Sequence, residues 1–123
     1  MCYVPVIVYV YSYVLIDCIC NKNANSSEFD KKTPHPVIDI MIGQKDVTHK
    51  GASMRLGEYN CSVNKGTKAY DAYKSISIKE RHRHRYEFNN EYLDKIKTKG
   101  LVVSGVNKKL NLVEMVEVTD HPW

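Results

Sequence analysis

The residues with the clearest chemical potential lie in one short run, ERHRHRYE, at positions 80–87. Its arginines could bind a phosphate or a carboxylate, because a guanidinium presents paired N–H donors in a fixed plane. Strand alternation would place His82 and His84 on one face and Arg81, Arg83 and Arg85 on the other. The run therefore predicts a strand with an anion-binding face, and a solvated face neutralised by the glutamates at its two ends stays open as the alternative.

Metal and nucleophile chemistry find less support in the sequence. Histidines two residues apart on a strand could share a zinc ion, but nothing indicates a third or fourth ligand, so we expect no metal site. A nucleophile on a tight Gly-x-Ser-x-Gly or Gly-x-Cys-x-Gly turn is not present in the sequence. Cysteines at positions 2, 18, 20 and 61 lack C-x-x-C spacing, which favours reduced thiols in a cytosol.

Turn residues and apolar periodicity predict the elements that position this run. We expect a strand over residues 75–88, with Ile76 and Ile78 on the histidine face and Lys79 on the arginine face. A helix should follow over residues 91–99, capped by Asn90 and ended by Gly100. The remaining expectations are loops at 33–36 and 43–57, a short apolar run at 37–41, and two strands at 101–106 and 112–118. Helices between strands indicate an α/β or α+β layer fold.

Composition sets the broad class of the protein. A chain of 123 residues with 43% hydrophobic and 26% charged residues is typical of one soluble domain. The net charge of +4 is dispersed along the chain, so we expect no nucleic-acid partner. Residues 1–16 carry no charge, but a spanning helix needs roughly 20 apolar residues, so a buried strand is favoured over a membrane anchor.

Several segments, taken in chain order, resemble the CTP synthase family in its C-terminal class-I glutamine amidotransferase domain. They are ANSSEFD at 24–30, TPHPVID at 33–39, MRLG at 54–57, ERHRHRYEFNNEY at 80–92, LVE at 112–114 and DHPW at 120–123. The similarity covers about residues 23–123 and leaves residues 1–22 as an unmatched apolar segment. It implies an α/β fold of the flavodoxin-like or Rossmann-like kind, present here in part.

The resemblance also implies functional roles. The family hydrolyses glutamine with a Cys-His-Glu triad and passes ammonia to a synthase domain, where ATP-activated UTP becomes CTP. By that resemblance Glu28 would hold the α-amino group of glutamine, Arg85 its α-carboxylate, and Tyr86 would line the pocket through its backbone. Arg55 matches a loop arginine associated with activation by GTP. ATP, Mg and GTP belong to the full-length proteins of the family, so we expect no cofactor in this chain itself. The resemblance implies a location in the cytoplasm.

Departures from the family pattern bear on activity. The nucleophile position falls near Val4, where VPVI stands in place of Cys-Leu-Gly-Met-Gln. The sequence stops at Trp123, before the His and Glu of the triad, and it does not contain the upstream oxyanion loop. We therefore expect an inactive fragment with no catalytic residue and half of a substrate pocket. A non-enzymatic interaction or regulatory protein is the alternative.

Overall fold

The computed structural model describes residues 23–40 and 55–118. The apolar start of the chain, most of the predicted loop after residue 43, and the DHPW segment lie outside these ranges. Seven strands, two short α-helices and one 3₁₀ turn are described. In chain order they are β1 (Ala24–Ser26), β2 (His35–Ile40), β3 (Arg55–Val63), α1 (Lys68–Tyr73), β4 (Ser77–His84), β5 (Tyr86–Phe88), the 3₁₀ turn (Asn90–Tyr92), α2 (Leu93–Thr98), β6 (Leu101–Asn107) and β7 (Leu112–Val118).

The strands form two sheets. One has the order β1-β2-β5, with β1 parallel to β2 and β5 antiparallel to β2. The other has the order β4-β3-β6-β7 and is antiparallel throughout. Mixed sheets with helices interspersed confirm the predicted α/β class.

Two apolar clusters hold the elements together. In the larger one, Ile96 of α2 and Val37 of β2 are completely buried, together with Phe88 and Val113. The smaller one lies within the antiparallel sheet and consists of Cys61, Val63 and Met115. A Cβ added at Gly105 of β6 would lie only 2.9 Å from Cys61 Sγ. The packing around Gly105 therefore leaves no room for a side chain.

The strand predicted over residues 75–88 is in fact two strands. Its first part, Ser77–His84, pairs with β3, whereas Tyr86–Phe88 pairs with β2 in the other sheet. The chain changes sheets at Arg85, which lies in a bend between them. The prediction was wrong because alternation describes the local strand conformation and not the identity of the neighbouring strand.

The predicted helix is present, but its start differs from the prediction. Asn89, and not Asn90, is the cap: its side chain accepts a hydrogen bond from the N–H of Glu91 at 3.1 Å. The Asn90 amide instead donates to the carbonyl of Asn111. The first turn is 3₁₀, and Gly100 follows the helix at a φ of +84°, as its predicted role at the helix end requires.

Residues 55–57, predicted to be loop, begin strand β3. Gly57 has a φ of +103° and weak strand propensity, so the local sequence does not favour a strand there. Pairing overrides that preference, because β3 runs between β4 and β6 and pairs with β4 from Arg55 to Ser62. The hairpin predicted at the C-terminal end is confirmed as β6 and β7.

Candidate functional site

The corner between the two sheets carries two of the predicted glutamine-binding residues. Arg85 occupies the bend after β4 and is half-buried. Tyr86 begins β5 opposite Ile40 of β2 and packs against the larger apolar cluster. Arg85 was predicted to lie on the outward face of a continuous strand, and the sheet change places it past the end of β4 instead.

Glu28 lies in the turn after β1 and is exposed. Its backbone N–H donates to Ser26 Oγ at 3.2 Å. Because β1 is parallel to β2 and β5 is antiparallel to it, the end of β1 and the start of β5 lie at the same end of the three-stranded sheet. The register places Ser26 level with Phe88 across Ile38, and Tyr86 lies two residues farther along, opposite Ile40. With a strand spacing of about 4.8 Å and a rise of about 3.3 Å per residue, the end of β1 and the start of β5 are roughly 12 Å apart across β2. The fold therefore brings Glu28 to the same sheet end as Arg85 and Tyr86.

A hydrogen bond ties the Glu28 turn to the middle strand of this sheet. The hydroxyl of Ser27 donates to Asp39 Oδ1 at 2.6 Å. The backbone N–H of Ser27 also donates to the carbonyl of Ile38 at 3.0 Å. Asp39 itself lies opposite Glu87 in the register of β2 and β5. The turn is thus held directly beside the strand that separates it from the corner.

Beneath the corner lies a buried charge cluster, which we define as Arg55, Glu87, Glu114, His82 and His84. Arg55 is 3% exposed, and its Nη1 donates to Glu87 Oε1 at 3.0 Å. Nη1 also donates to Glu114 Oε2 at 3.3 Å, and Nη2 donates to Glu114 Oε1. The guanidinium carbon lies 4.4 Å from the centroid of the Tyr59 ring. Arg55 therefore links β3 to β5 and β7, and it is a buried strand residue where a loop residue was predicted.

The histidines extend this cluster across β4. His84 Nε2 lies 2.9 Å from Glu87 Oε1 and 3.3 Å from His82 Nδ1. The Nε2 atom of His82 lies 3.6 Å from Glu114 Oε2. Burial lowers the pKa of His82 to about 4, helped by the charges of Arg55 and His84. His82 is therefore a neutral imidazole at neutral pH.

The two carboxylates of the cluster differ in their pKa shifts because they have different partners. Burial alone would raise the pKa of Glu87, but the hydrogen bond from His84 and the charges of His84 and Arg55 lower it overall. The pKa of Glu114 is raised, because burial and the charge of Glu87 outweigh its hydrogen bond and its attraction to Arg55. Glu87 is thus the more strongly held anion of the two.

Two other chemistries are absent from the described part of the chain. Residues 23–40 and 55–118 contain no group of three or more His, Cys, Asp or Glu side chains placed to hold a metal ion. Cys61 is 1% exposed, and burial together with nearby carboxylates raises its thiol pKa to about 12. A thiol in that state is no nucleophile at neutral pH, since the thiolate is the reactive form.

No helix of the described ranges is long and apolar enough to cross a membrane.

The outward face of β4 matches the predicted alternation. Lys79, Arg81 and Arg83 are exposed, while Ile78 and the two histidines point inward. Lys79 Nζ lies 3.0 Å from an oxygen of Glu58 on β3. Ile76, expected on the inner face, precedes the strand and is 56% exposed, so that part of the prediction was wrong.

The sequence did not indicate Glu114 as a member of this cluster or Tyr59 as the ring beside Arg55. Glu114 sits between the buried residues Val113 and Met115, and its own side chain is only 4% exposed. Both faces of β7 are therefore covered. A carboxylate within an apolar run, together with an arginine elsewhere, was the available signal, but the sequence does not show which arginine pairs with it.

Comparisons with known proteins agree with this geometry. No family model matches the chain. CTP synthase of Caldanaerobacter subterraneus is 58% identical over 102 residues, and those of Clostridium acetobutylicum and Methanothermobacter thermautotrophicus are 53% and 51% identical over the same length. These matches cover 83% of this chain and 19% of each relative, so the chain spans about a fifth of their length.

A solved structure extends the likeness from sequence to fold. The glutaminase domain of Trypanosoma brucei CTPS, determined with bound acivicin, matches with a TM-score of 0.76 and 33% sequence identity. The match covers 88% of this chain and 42% of that one. The chain therefore belongs to the CTP synthase family, as a stretch of its glutaminase, or class-I glutamine amidotransferase, domain.

Proposed function

We propose that this chain forms part of the glutamine-binding wall of a CTP synthase glutaminase domain. Glu28 binds the α-ammonium group of glutamine, Arg85 binds its α-carboxylate, and Tyr86 contributes its backbone. The observation that supports this proposal is the position of the β1 end and the β5 start on either side of β2, toward the same end of one sheet. It occurs in a sequence 50–58% identical to CTP synthases.

The charges support recognition of an amino acid. A free amino acid at neutral pH carries an ammonium and a carboxylate on one carbon, so its binding site needs an anion and a cation a few ångströms apart. Charge-assisted hydrogen bonds of this kind are roughly twice as strong as neutral ones, and a guanidinium can hold a carboxylate with two of them. The exposed Glu28 and the half-buried Arg85 supply these two charges on either side of β2.

We assign recognition, and not bond cleavage, to the described residues. Cys61 is buried as a thiol, so amide hydrolysis would need a nucleophile from another part of the protein. The synthase domain, with ATP, Mg and GTP, is the proposed partner in an intact enzyme of this family, which we place in the cytoplasm. A part for Arg55 in GTP activation would act through the contacts of β3 with β5 and β7, since its guanidinium is buried.

Titration with L-glutamine tests this proposal directly. We expect chemical-shift changes in the NMR spectrum at Arg85, Tyr86 and the Glu28 turn, saturating with glutamine concentration. Arg85→Gln should weaken binding roughly tenfold to a hundredfold, since a hydrogen bond to a charged group is lost. Arg83→Gln is the matched control, because Arg83 is an exposed arginine on the outward face of β4, two residues before Arg85.

Two results would overturn the proposal. One is the absence of any glutamine-dependent shift at the corner of the folded chain. The other is an equal loss of binding in the Arg83 and Arg85 variants, which would indicate a diffuse attraction to the cationic strand. Glu28→Gln should weaken L-glutamine and leave the binding of a simple carboxylate such as acetate unchanged, because acetate has no ammonium group.

A further inference from the structure

We propose that Glu87 is the positioning residue for the glutamine-binding corner, and that it acts by clamping the bend through His84. This inference rests on the proposed function, because it assigns a reason for the placement of Arg85 and Tyr86. Glu87 itself does not touch the amino acid in this scheme. Its carboxylate determines where the two residues before it lie.

The clamp encloses the corner. His84 is the last residue of β4, and Glu87 is the middle residue of β5. Their side chains are joined at 2.9 Å between Nε2 and Oε1, with only Arg85 and Tyr86 between them in the chain. The contact therefore closes a short loop around the sheet change. A short closed loop has few backbone conformations, so the direction of Arg85 is restricted.

The clamp is also anchored to the rest of the fold. The same oxygen of Glu87 accepts a hydrogen bond from Arg55 at 3.0 Å, and Glu87 is 7% exposed. Arg55 is held in turn by Glu114 on β7 and by the face of the Tyr59 ring. Buried, charge-assisted bonds of this kind are stronger than surface ion pairs, because water does not compete for them. The bend is thereby attached to β3 and β7 as well as to β4.

Glu87 also faces the other half of the proposed pocket. It lies opposite Asp39 in the β2–β5 register, and Asp39 accepts the hydroxyl of Ser27 beside Glu28. The turn that bears the anion and the bend that bears the cation are thus both tied to adjacent positions at this end of the sheet. The separation of the two charges follows from these attachments.

Glu114 offers a matched control for a purely structural role. It is as buried as Glu87, with side chains 4% and 6% exposed, and it accepts hydrogen bonds from the same arginine. It lies on β7, outside the segment 84–87 that the clamp closes. Glu87→Gln and Glu114→Gln each remove one charge from the same cluster, but only the first removes the charge that strengthens the clamp. His84→Ala breaks the clamp and leaves Arg55 with both carboxylates, so it is the milder second variant.

The experiment measures backbone amide order parameters by NMR relaxation, and the dissociation constant for L-glutamine, in the native chain and the three variants. In the native chain we expect order parameters near 0.85 at Arg85 and Tyr86, the value typical of rigid backbone. Glu87→Gln and His84→Ala should lower them toward about 0.6 and raise the dissociation constant roughly tenfold, as for a lost charge-assisted hydrogen bond. Glu114→Gln should leave the order parameters near 0.85 and change the dissociation constant by no more than about twofold.

The two readouts separate this inference from the proposed function. If the native chain binds no glutamine, the proposed function fails, and the order parameters alone decide whether the clamp fixes the bend. Equal loosening in the Glu87 and Glu114 variants would reduce Glu87 to a general stabilising residue and overturn the inference. An unchanged bend in His84→Ala would do the same, even if Glu87→Gln did not fold.

Discussion

Replacing Arg55 with methionine is the most severe single perturbation of the buried charge cluster. Methionine keeps much of the apolar stem of arginine but removes the hydrogen bonds to Glu87 and Glu114. Removing one partner of a buried ion pair costs about 3–5 kcal/mol, because the remaining charge stays buried without its partner. A domain of this size has a free energy of unfolding on the order of 5–15 kcal/mol. The variant should therefore lose a large part of its stability.

Most of the loss should come from Glu114. After the substitution Glu87 keeps its contact with His84 at 2.9 Å, whereas Glu114 loses every hydrogen bond that it accepts from Arg55. The pKa of Glu114 is already raised in the native protein by burial, and removing the guanidinium should raise it further. A protonated Glu114 carries no buried charge. The deficit relative to the native chain should therefore shrink as the pH falls from about 7 to about 5.

Urea unfolding followed by circular dichroism at both pH values measures these differences. Lys79→Met is the matched control, because it breaks the Lys79–Glu58 pair, whose side chains are 62% and 56% exposed. That pair should contribute no more than about 1 kcal/mol. Adding Glu114→Gln to Arg55→Met should recover part of the loss. A loss below about 1 kcal/mol for Arg55→Met, or a deficit equal at the two pH values, would refute the reasoning.

Two further predictions concern the interior of the antiparallel sheet. Gly105→Ala should destabilise by about 1–3 kcal/mol through overpacking, since the new Cβ would lie 2.9 Å from Cys61 Sγ, and Cys61→Ala should relieve part of that cost. Strict additivity of the two substitutions in urea unfolding would argue against the contact. Second, between pH 6.5 and pH 4 the free energy of unfolding of the native chain should fall by on the order of 3 kcal/mol more than that of His82→Gln. The reason is that the pKa of His82 is about 4 in the folded chain and 6.5 ordinarily. The unfolded chain binds a proton that the buried imidazole does not bind, so stability falls as the pH is lowered. Parallel pH profiles of the two proteins would contradict this.

The carboxylates near His82 also make the stability depend on pH. For this reason the measurement compares the native chain with His82→Gln. Glu87, whose folded pKa is lowered, also loses stability as the pH falls, whereas Glu114, whose folded pKa is raised, gains it. Both residues remain in His82→Gln. Subtracting the two profiles therefore removes most of their contribution and leaves the imidazole.

Local features of the fold could be predicted from the sequence. The helix over Leu93–Thr98 and the hairpin of β6 and β7 depend on apolar spacing and on the Gly100 end, which are properties of neighbouring residues. The inward direction of Ile78 and His82 follows from alternation alone. In contrast, β3 has a glycine at φ +103° and exposed polar residues such as Asn60, so only its two neighbouring strands make it a strand.

The candidate site could be predicted in part, but the change of sheet at Arg85 could not. Resemblance to a family predicts Glu28, Arg85 and Tyr86 as binding residues, and the fold places them toward one end of the three-stranded sheet, but their role in binding stays a prediction. The sheet change between His84 and Tyr86 leaves no mark in the sequence, because the alternation of charged and uncharged residues continues through it. The change follows the pair of Arg55 and His84, which is the last pair of the β3–β4 ladder among residues 23–40 and 55–118.

That last pair explains why the bend and the buried charge cluster occur together. Arg55 is the first residue of β3 and His84 the last of β4, so the described part of the ladder between them reaches as far as His84. Backbone pairing joins β4 to β3 up to His84, and it joins β5 to β2 from Tyr86. Side chains add a second connection across the bend. The hydrogen bonds of Glu87 to His84 and to Arg55 join the end of β4 to the start of β5, so the proposed positioning of Arg85 would depend on a carboxylate that is not itself assigned to glutamine binding.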